Sequence, residues 1–555
     1  MPNPKYAPVV QSKSVDGVKA TALVGVHSAI IGWSTEASNI AKDHLGFAIK
    51  RTDYDAKTGN EIKSGFLLSD KRFEGIKEDV REVGSDEAPF QRFRWNDYGL
   101  RPEKRYSYEI FPATGKPGDV KLGKPVPVDV TPSQPEMGNL GVYFNRGVTS
   151  AHAYLKRFNG KHPKDVANGE AYAWLSRGLK ESLIDFIKAT KPGQALHVCI
   201  YEFFDPDVAS ALAAATPKVD VTIVYHAKAG DKATGESLEN IKHHKLTKFA
   251  IARTETGAIS HDKFVVRLEN GKARAVWTGS SNFSENAFYF QTNSALAIDI
   301  ASIAQIYEDF FQVIASNPKL AKASKTEVFA QDKVSAVNLA FKPKAPFSQV
   351  YFSPVRNLDF LDASIDLIAN ARSAVFVSAP FAMDKSLADA LGKNKASVLE
   401  YGLVNATAKK KIAGLDVRHM RFITPSVLKT FMGQKWDAKA FGAHKIHSKM
   451  IVTDPWSDNP RVLVGSSNHS DASCRKNDEN NLLIEGDSRL AAIMTVEFMR
   501  MFDHYNSRAF INDILANGGT GDKPLAPDSS WSRTAFSDTA KSHKFRDRLV
   551  FSGQL

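Results

Sequence analysis

The chemistry this sequence can offer is concentrated in two histidine–lysine pairs. The first lies in Ser260-His261-Asp262-Lys263-Phe264-Val265-Val266 and is followed by Thr278-Gly279-Ser280-Ser281-Asn282. The second lies in Ile446-His447-Ser448-Lys449-Met450-Ile451-Val452 and is followed by Val464-Gly465-Ser466-Ser467-Asn468. The interval from His261 to His447 equals that from Gly279 to Gly465, so the His-to-Gly spacing is identical in the two copies. At one further shared spacing beyond each Gly stands a polar residue before an apolar run, Asn293 in one copy and Glu479 in the other. His-x-Lys followed by Val-Val or Ile-Val is a strand pattern, which puts His and Lys on one face. An imidazole beside an ammonium suits a phosphate better than a metal, because lysine has no lone pair to donate at neutral pH. Gly-Ser-Ser-Asn follows a second strand and could offer backbone N–H groups, hydroxyls and an amide to the same anion. Two such half-sites facing each other would bracket one phosphoryl group.

The elements that must position these residues follow from the flanking pattern. Leu175, Leu179, Leu183 and Phe186 recur at helical spacing, and apolar strand-like runs follow at 195–201 and 219–225. The same order returns with Ile365–Ile368 in a helix, Ala374–Ser378 as a strand and Leu387–Leu391 in a helix. Helix alternating with buried strand predicts an α/β architecture, a mixed sheet covered by helices, in two related lobes. Residues 1–135 read instead as β, with Tyr106, Tyr108 and Ile110 alternating with polar residues. Pro127, Pro132 and Pro135 mark a linker. The division expected is 1–135, an accessory β-sandwich; 136–340, the first lobe; 341–510, the second lobe; and 511–555, a C-terminal extension whose last stretch, 532–555, reads as either a basic tail or a strand closing the second lobe.

The paired sites resemble the His-x-Lys-x-x-x-x-Asp motif of the phospholipase D superfamily. The second copy matches it in full with His447, Lys449 and Asp454, then Gly465, Ser467 and Asn468. The first copy departs, with Leu268 where the Asp would stand. Trp33 and the run Leu100-x-Pro102-x-x-x-Tyr106-x-Tyr108 resemble a fibronectin type III-like sandwich. The superfamily resemblance implies α+β-α sandwich lobes in a pseudo-two-fold arrangement and a phosphodiesterase working in two steps without metal or other cofactor. One His attacks phosphorus and forms a phosphohistidine; the other protonates the leaving alkoxide and then activates water or an alcohol. The residues implicated as catalytic are His261, Lys263, Asn282, His447, Lys449, Asn468, Asp454 and Glu479. Gly279, Ser280, Ser281, Gly465, Ser466 and Ser467 are implicated in phosphate binding. His261 is expected to be the nucleophile and His447 the acid, with Glu479 orienting one imidazole. Asn145-Arg146, after a strand at 140–144, reads as a surface loop.

Composition narrows the partner. The 555-residue chain carries 73 Lys and Arg against 61 Asp and Glu, a net charge of +12. Residues 404–449 hold ten Lys/Arg against Asp416 and Asp437, so +8 of that charge runs into the second site. Such a stretch suits an anionic phospholipid surface or a nucleic acid, with Phe431, Trp436 and Phe441 placed to stack or insert. Two cysteines, Cys199 and Cys474, cannot form a disulfide framework. An apolar leader and an apolar run of membrane-spanning length are both absent, so the chain reads as cytoplasmic. Three functions fit: a phospholipase D-like enzyme on phospholipid, a metal-independent nuclease on DNA or RNA, and a non-catalytic phosphate-binding module. Both half-sites lie in one chain, so a monomer suffices.

Overall fold

The computed structural model describes residues 6–55, 57–76, 82–147, 152–319, 332–334, 347–355, 359–381, 383–394, 397–405, 420–423, 430–431, 434–435, 445–516, 524–537 and 543–555. Two eight-stranded mixed sheets dominate it, and they have the same strand order. In the first the order is 136–137, 140–144, 294–298, 272–279, 263–269, 195–200, 220–226 and 250–253. In the second it is 332–334, 347–353, 479–485, 461–465, 450–453, 374–378, 399–403 and 420–423. Three strands in each run parallel to one another and the rest are antiparallel.

Side-chain alternation sets the layers. Phe264 and Val266 face one way and Val265 the other; Met450 and Val452 face one way and Ile451 the other. The first set from each lobe enters one shared core, built around helices Ala301–Ala315 and Ser488–Ala516. Phe310 of the first lobe stacks on Phe352 of the second, with ring centroids 4.1 Å apart. The opposite faces are covered separately, by helices at 170–188 and 206–243 in the first lobe and by Asp359–Ala369 and Lys385–Lys393 in the second. The helix expected across 175–186 is broken: Arg177 and Gly178 adopt left-handed backbone at φ 49° and 92°, ending Glu170–Ser176 and starting Leu179–Lys188.

The N-terminal region is all β. Strands 9–11, 19–24, 29–34 and 94–97 form one sheet, and 119–122, 104–116, 44–55 and 61–66 form another. Trp33, Phe47, Tyr106 and Tyr108 are buried between them. The Tyr106 hydroxyl accepts the Arg101 N–H at 2.9 Å, and the Tyr108 hydroxyl donates to Asp97 at 2.8 Å. Part of the expected linker is a strand: Val126–Val130 pairs with 106–110, burying its three valines and leaving Pro127 exposed. Proline is tolerated there because this strand pairs through its other residues. The remaining link is clamped by Arg489, which donates to Ser133 and to the carbonyls of Gln134, Pro135 and Leu140.

The C-terminal stretch is neither tail nor strand in its described residues. It forms helices Arg533–Phe536 and Lys544–Phe551, which pack against the N-terminal sandwich. Ala535 and Trp531 join the sandwich core, and Thr21 donates to the Ser552 carbonyl at 2.8 Å. Arg94 reaches from the sandwich to Asp503 and Asp547, each at 3.2 Å. Among the described residues no helix is long and apolar enough to cross a membrane.

Gly32 marks the tightest point of this docking, because a Cβ there would sit 2.1 Å from the Phe551 carbonyl oxygen. Gly32→Ala is therefore expected to cost about 1–3 kcal/mol by overpacking. Limited proteolysis should release the last helix, and the unfolding transition should fall, because Phe551 also packs on Phe376 and Tyr401 of the second mixed sheet. An unchanged proteolysis pattern and melting curve would contradict this packing account.

Candidate active site

The two histidine strands meet at the seam between the lobes. Ser260 bridges to Asp478, and its counterpart Ile446 pairs with Thr292. The His261 N–H donates to the Asp478 carbonyl at 2.8 Å, and the His447 N–H to the Thr292 carbonyl at 3.1 Å. Each histidine is thus tied through its backbone to the strand of the opposite lobe that carries Glu479 or Asn293. The rings follow the same crossing. His261 Nδ1 lies 2.8 Å from Glu479 Oε2, and His447 Nδ1 lies 2.8 Å from Asn293 Oδ1. Glu479 therefore orients His261, the choice that the sequence leaves open.

The tautomers follow from these partners. Asn293 donates its Nδ2 to the Ala287 carbonyl, so its oxygen faces His447 and accepts the Nδ1 proton. Glu479 accepts from Ser466 at 2.6 Å and from Asn477 at 2.9 Å, and is left to accept His261 Nδ1–H. Both imidazoles then present Nε2 to the space between the lobes. Each histidine is only 5% exposed, so access is narrow.

Lys263 and Lys449 are buried, and each ammonium donates to the carbonyl of its own histidine. Each also lies over an aromatic ring, Lys263 at 5.5 Å from the Tyr201 centroid and Lys449 at 5.4 Å from that of Phe381. The same rings contact His261 at 5.3 Å and His447 at 5.4 Å. Tyr201 and Phe381 form a pair of aromatic walls that the sequence motifs do not reveal. The available signal is positional, since each follows the strand that pairs with its histidine strand.

Electrostatics shows that the four groups share one space. Burial pulls His261 down to about 4, with Glu479 opposing and the two lysines reinforcing. Burial, then Lys449, Lys263 and His261, hold His447 well below the ordinary histidine range. Burial lowers Lys263 to about 8. Burial and the charge of Lys263 push Lys449 down further. Burial alone would raise the Glu479 carboxyl, but His261, Lys263 and Ser466 leave it below its usual value. An anion placed among these groups reverses the repulsion and restores their positive charge.

The Gly-Ser-Ser-Asn segments do less ligand chemistry than their sequence suggests. The Ser280 hydroxyl donates to Asn293 at 2.8 Å and that of Ser466 to Glu479, so both brace the residues that hold the histidines. Gly279 and Gly465 are required by packing: a Cβ would meet the Ser294 carbonyl at 2.2 Å or the Asn480 carbonyl at 2.3 Å. The Ser281 hydroxyl donates to the Asn282 carbonyl, and the Ser467 N–H to Asn481 Oδ1 at 3.2 Å. The Ser467 hydroxyl, Asn282 Oδ1 and Asn468 Oδ1 are buried without a hydrogen-bond partner among the described residues, so these three oxygens do not hold the fold.

The Asp454 carboxylate is spent on the backbone. It accepts the N–H groups of Arg372, Ser373 and Ala374 at 2.7–3.1 Å and the Ser373 hydroxyl, fixing the start of the strand that pairs with Met450–Thr453. Leu268 is buried in the shared core instead. Asp262 is buried on the far side of its strand, near Cys199, and burial beside Asp478 raises its carboxyl well above the usual range. Asn145 lies in a loop but is buried: it donates to the carbonyls of Ala287, Phe288 and Gln291 and accepts the Asn293 N–H at 2.8 Å, so the loop is not a surface one there. Of the ten basic residues in 404–449, Lys409, Lys410, Lys411, Arg418, Lys429 and Lys439 lie outside the described residues, as do Trp436 and Phe441.

Glu479→Gln separates orientation from charge, because an amide can still accept Nδ1–H as Asn293 does for His447. It is expected to lower the His261 pKa below its value of about 4 in the parent. A histidine depressed from ~6.5 binds protons more readily unfolded, so its contribution to stability is present above that pH and is lost as pH falls towards the folded value. Ring-proton NMR titration of parent and variant reads both effects, and an unshifted His261 would refute the pairing.

A family model described as "cardiolipin synthase, PLD-like domain" matches the chain twice, at residues 183–315 and 364–502. No curated protein matches the chain. Among solved structures, phosphatidylserine synthase from Haemophilus influenzae Rd KW20 aligns at 14% identity, covering 59% of this chain and 85% of that one, with a TM-score of 0.43. Polyphosphate kinase from Porphyromonas gingivalis aligns at 13% identity over 56% of this chain, with a TM-score of 0.37, and only 46% of its own length is spanned. The phospholipase D family member Nuc from Salmonella typhimurium aligns at 20% identity over 32% of this chain and 94% of that one, with a TM-score of 0.22. Residues 183–315 and 364–502 are thus each similar to one phospholipase D-like domain, two matches carried in tandem by one chain.

Proposed function

We propose that the protein processes phosphodiesters, with phospholipid as the favoured substrate, through a covalent phosphohistidine on His261. The observation that supports this reading is the crossed pair of imidazoles, each holding its Nδ1 proton on a residue of the other lobe and directing Nε2 inward. Nε2 of His261 attacks phosphorus, the N–P bond forms, and the bond to the leaving oxygen breaks as His447 protonates that oxygen. Neutral His447 then takes a proton from water or an acceptor alcohol, whose oxygen attacks phosphorus and displaces His261. Water gives hydrolysis and an alcohol gives transfer of the phosphatidyl group, the reaction class suggested by the cardiolipin synthase description of the matched family.

The unequal partners assign the roles. A phosphorylated imidazole carries positive charge, which the Glu479 carboxylate stabilises. An amide partner does not, so His447 once protonated is the stronger acid and suits proton donation. Lys263, Lys449, Asn282 and Asn468 would hold the non-bridging oxygens and the charge developing on them. The bound phosphodiester supplies the negative charge that lets His447 take up its proton. Lys263 and Lys449 would supply the positive charge that the non-bridging oxygens need, so turnover is expected in EDTA. The matched domain description favours lipid; the basic residues of 404–449 support nucleic acid as a second reading. The N-terminal sandwich is proposed as an accessory domain of fibronectin type III-like form.

Incubation in EDTA with labelled phosphatidylcholine, phosphatidylglycerol, single-stranded DNA and duplex DNA separates the readings. Headgroup release or exchange supports the lipid enzyme and DNA fragments support the nuclease. Loss of activity in EDTA with recovery on adding a divalent ion would refute the mechanism. A nitrophenyl phosphodiester needs little acid assistance, so His447→Ala should give a burst followed by label retained at His261. His261→Ala should give neither, and removing either lysine should reduce turnover by about 10²–10³-fold.

A further inference from the structure

Each reacting histidine is also held at the residue before it, and there the lobes use different side chains. In the first lobe the Ser260 N–H donates to Nδ1 of His226 at 3.1 Å. His226 closes the strand Asp220–His226 and is fully buried. Because its Nδ1 accepts, its proton sits on Nε2, which donates to Asp231 Oδ2 at 3.2 Å. Asp231 is itself fixed, accepting the Ala233 N–H at 2.9 Å as the cap of helix Lys232–His243. In the second lobe the residue before His447 is Ile446. Its N–H donates to Asn405 Oδ1 at 3.3 Å and its carbonyl accepts from Asn405 Nδ2 at 3.1 Å. The strand pairing Cys199↔Val224 recurs as Ser378↔Leu403, and two positions beyond Val224 and Leu403 stand His226 and Asn405. His226 and Asn405 therefore occupy equivalent positions and perform equivalent work, one with a group that titrates and one with a group that does not.

We propose that His226 is a pH-responsive positioning residue that holds the Ser260–His261 backbone in register for attack. This rests on the reading of His261 as the nucleophile. Protonation would put a hydrogen on Nδ1 facing the Ser260 N–H, setting two donors against each other and releasing the segment. The groups facing His226 are Asp231, Lys228, Lys263, Ser260 and the ring of Tyr201, whose centroid is 5.1 Å away. Tyr201 also touches the His261 ring, so a shift at His226 reaches the reacting imidazole through side chain as well as backbone. Burial, Lys228 and Lys263 disfavour the cation and Asp231 favours it; the balance lowers the His226 pKa, so the hold is present at neutral pH and is lost in acid. Asn405 has no such limit, so acid loosens the His261 side of the site and leaves the His447 side intact.

The test pairs spectroscopy with kinetics on the full chain. With ¹⁵N-serine labelling, the Ser260 amide, assigned by its absence in Ser260→Ala, should move with a titration of His226 that lies below the ordinary histidine range. In His226→Asn that movement should vanish. Turnover of a nitrophenyl phosphodiester by His226→Asn should stay within about twofold at neutral pH, because Asn reproduces the bond seen at Asn405, and its acid limb should shift to lower pH. His226→Ala should lower kcat about tenfold or more with KM little changed. A Ser260 amide indifferent to pH overturns the proposal whether or not the protein turns over any substrate. So does a His226→Asn variant as impaired as His226→Ala. Absence of turnover by the parent, with the Ser260 titration intact, overturns the nucleophile reading alone and leaves the titrating hydrogen bond supported.

Discussion

The site depends on one crossed interaction: each active-site histidine belongs to one lobe and takes its ring partner from the other. His261 leans on Glu479 and His447 on Asn293, both at 2.8 Å, and the backbones cross in the same sense. Assembly of the lobes and orientation of the imidazoles are therefore a single event. Neither lobe alone fixes the tautomer of its reacting histidine. The stacked Phe310 and Phe352 rings and the helices 301–315 and 488–516 contribute by holding the two sheets at the separation this crossing needs. Burial of that shared apolar surface is the main favourable term opposing the concentration of cations at the seam.

Those cations explain why the two half-sites are unequal. Two lysines and two histidines buried together repel, and only one carboxylate, Glu479, sits on an imidazole among them. A second carboxylate at position 293 would neutralise more charge and relax both histidines, but it would also compete with an incoming phosphate. Asn293 keeps the geometry of the partner without its charge. Symmetry is kept in hydrogen bonding and broken in electrostatics, which lets two similar imidazoles take opposite parts in a stepwise reaction.

Much of this was legible in the sequence because duplication makes spacing informative. The constant interval between the copies located both half-sites, and alternation around Val265 and Ile451 matches the buried strands Lys263–Glu269 and Met450–Thr453, although His261 and His447 themselves lie just ahead of these strands. Local pattern could not say which histidine Glu479 serves, since that depends on how two lobes dock. It also could not show that the Ser280 and Ser466 hydroxyls brace Asn293 and Glu479, or that Asp454 finds its partners at Arg372–Ala374, far earlier in the chain. Tyr201 and Phe381 were missed because an aromatic after a strand is ordinary core material until a lysine is seen above it. The helical C-terminus was missed because its apolar residues, Val550 and Phe551 among them, are too few to show periodicity. They are buried by surfaces that belong to distant parts of the chain, the N-terminal sandwich among them.

That last contact has a consequence for how the molecule is made. The sandwich strands 19–34 are synthesised before either lobe, yet the surface they present around Gly32 and Thr21 is covered by residues 551 and 552, which emerge after both. Domains fold in the order of synthesis where they can, but this sheet must wait, with its apolar edge uncovered, until both lobes have been translated. Closure of the sandwich thus reports that the lobes are complete. A product cut short before residue 544 would display an unfinished β domain, an exposed apolar surface of the kind that chaperones and proteases recognise, even with both histidine–lysine pairs present.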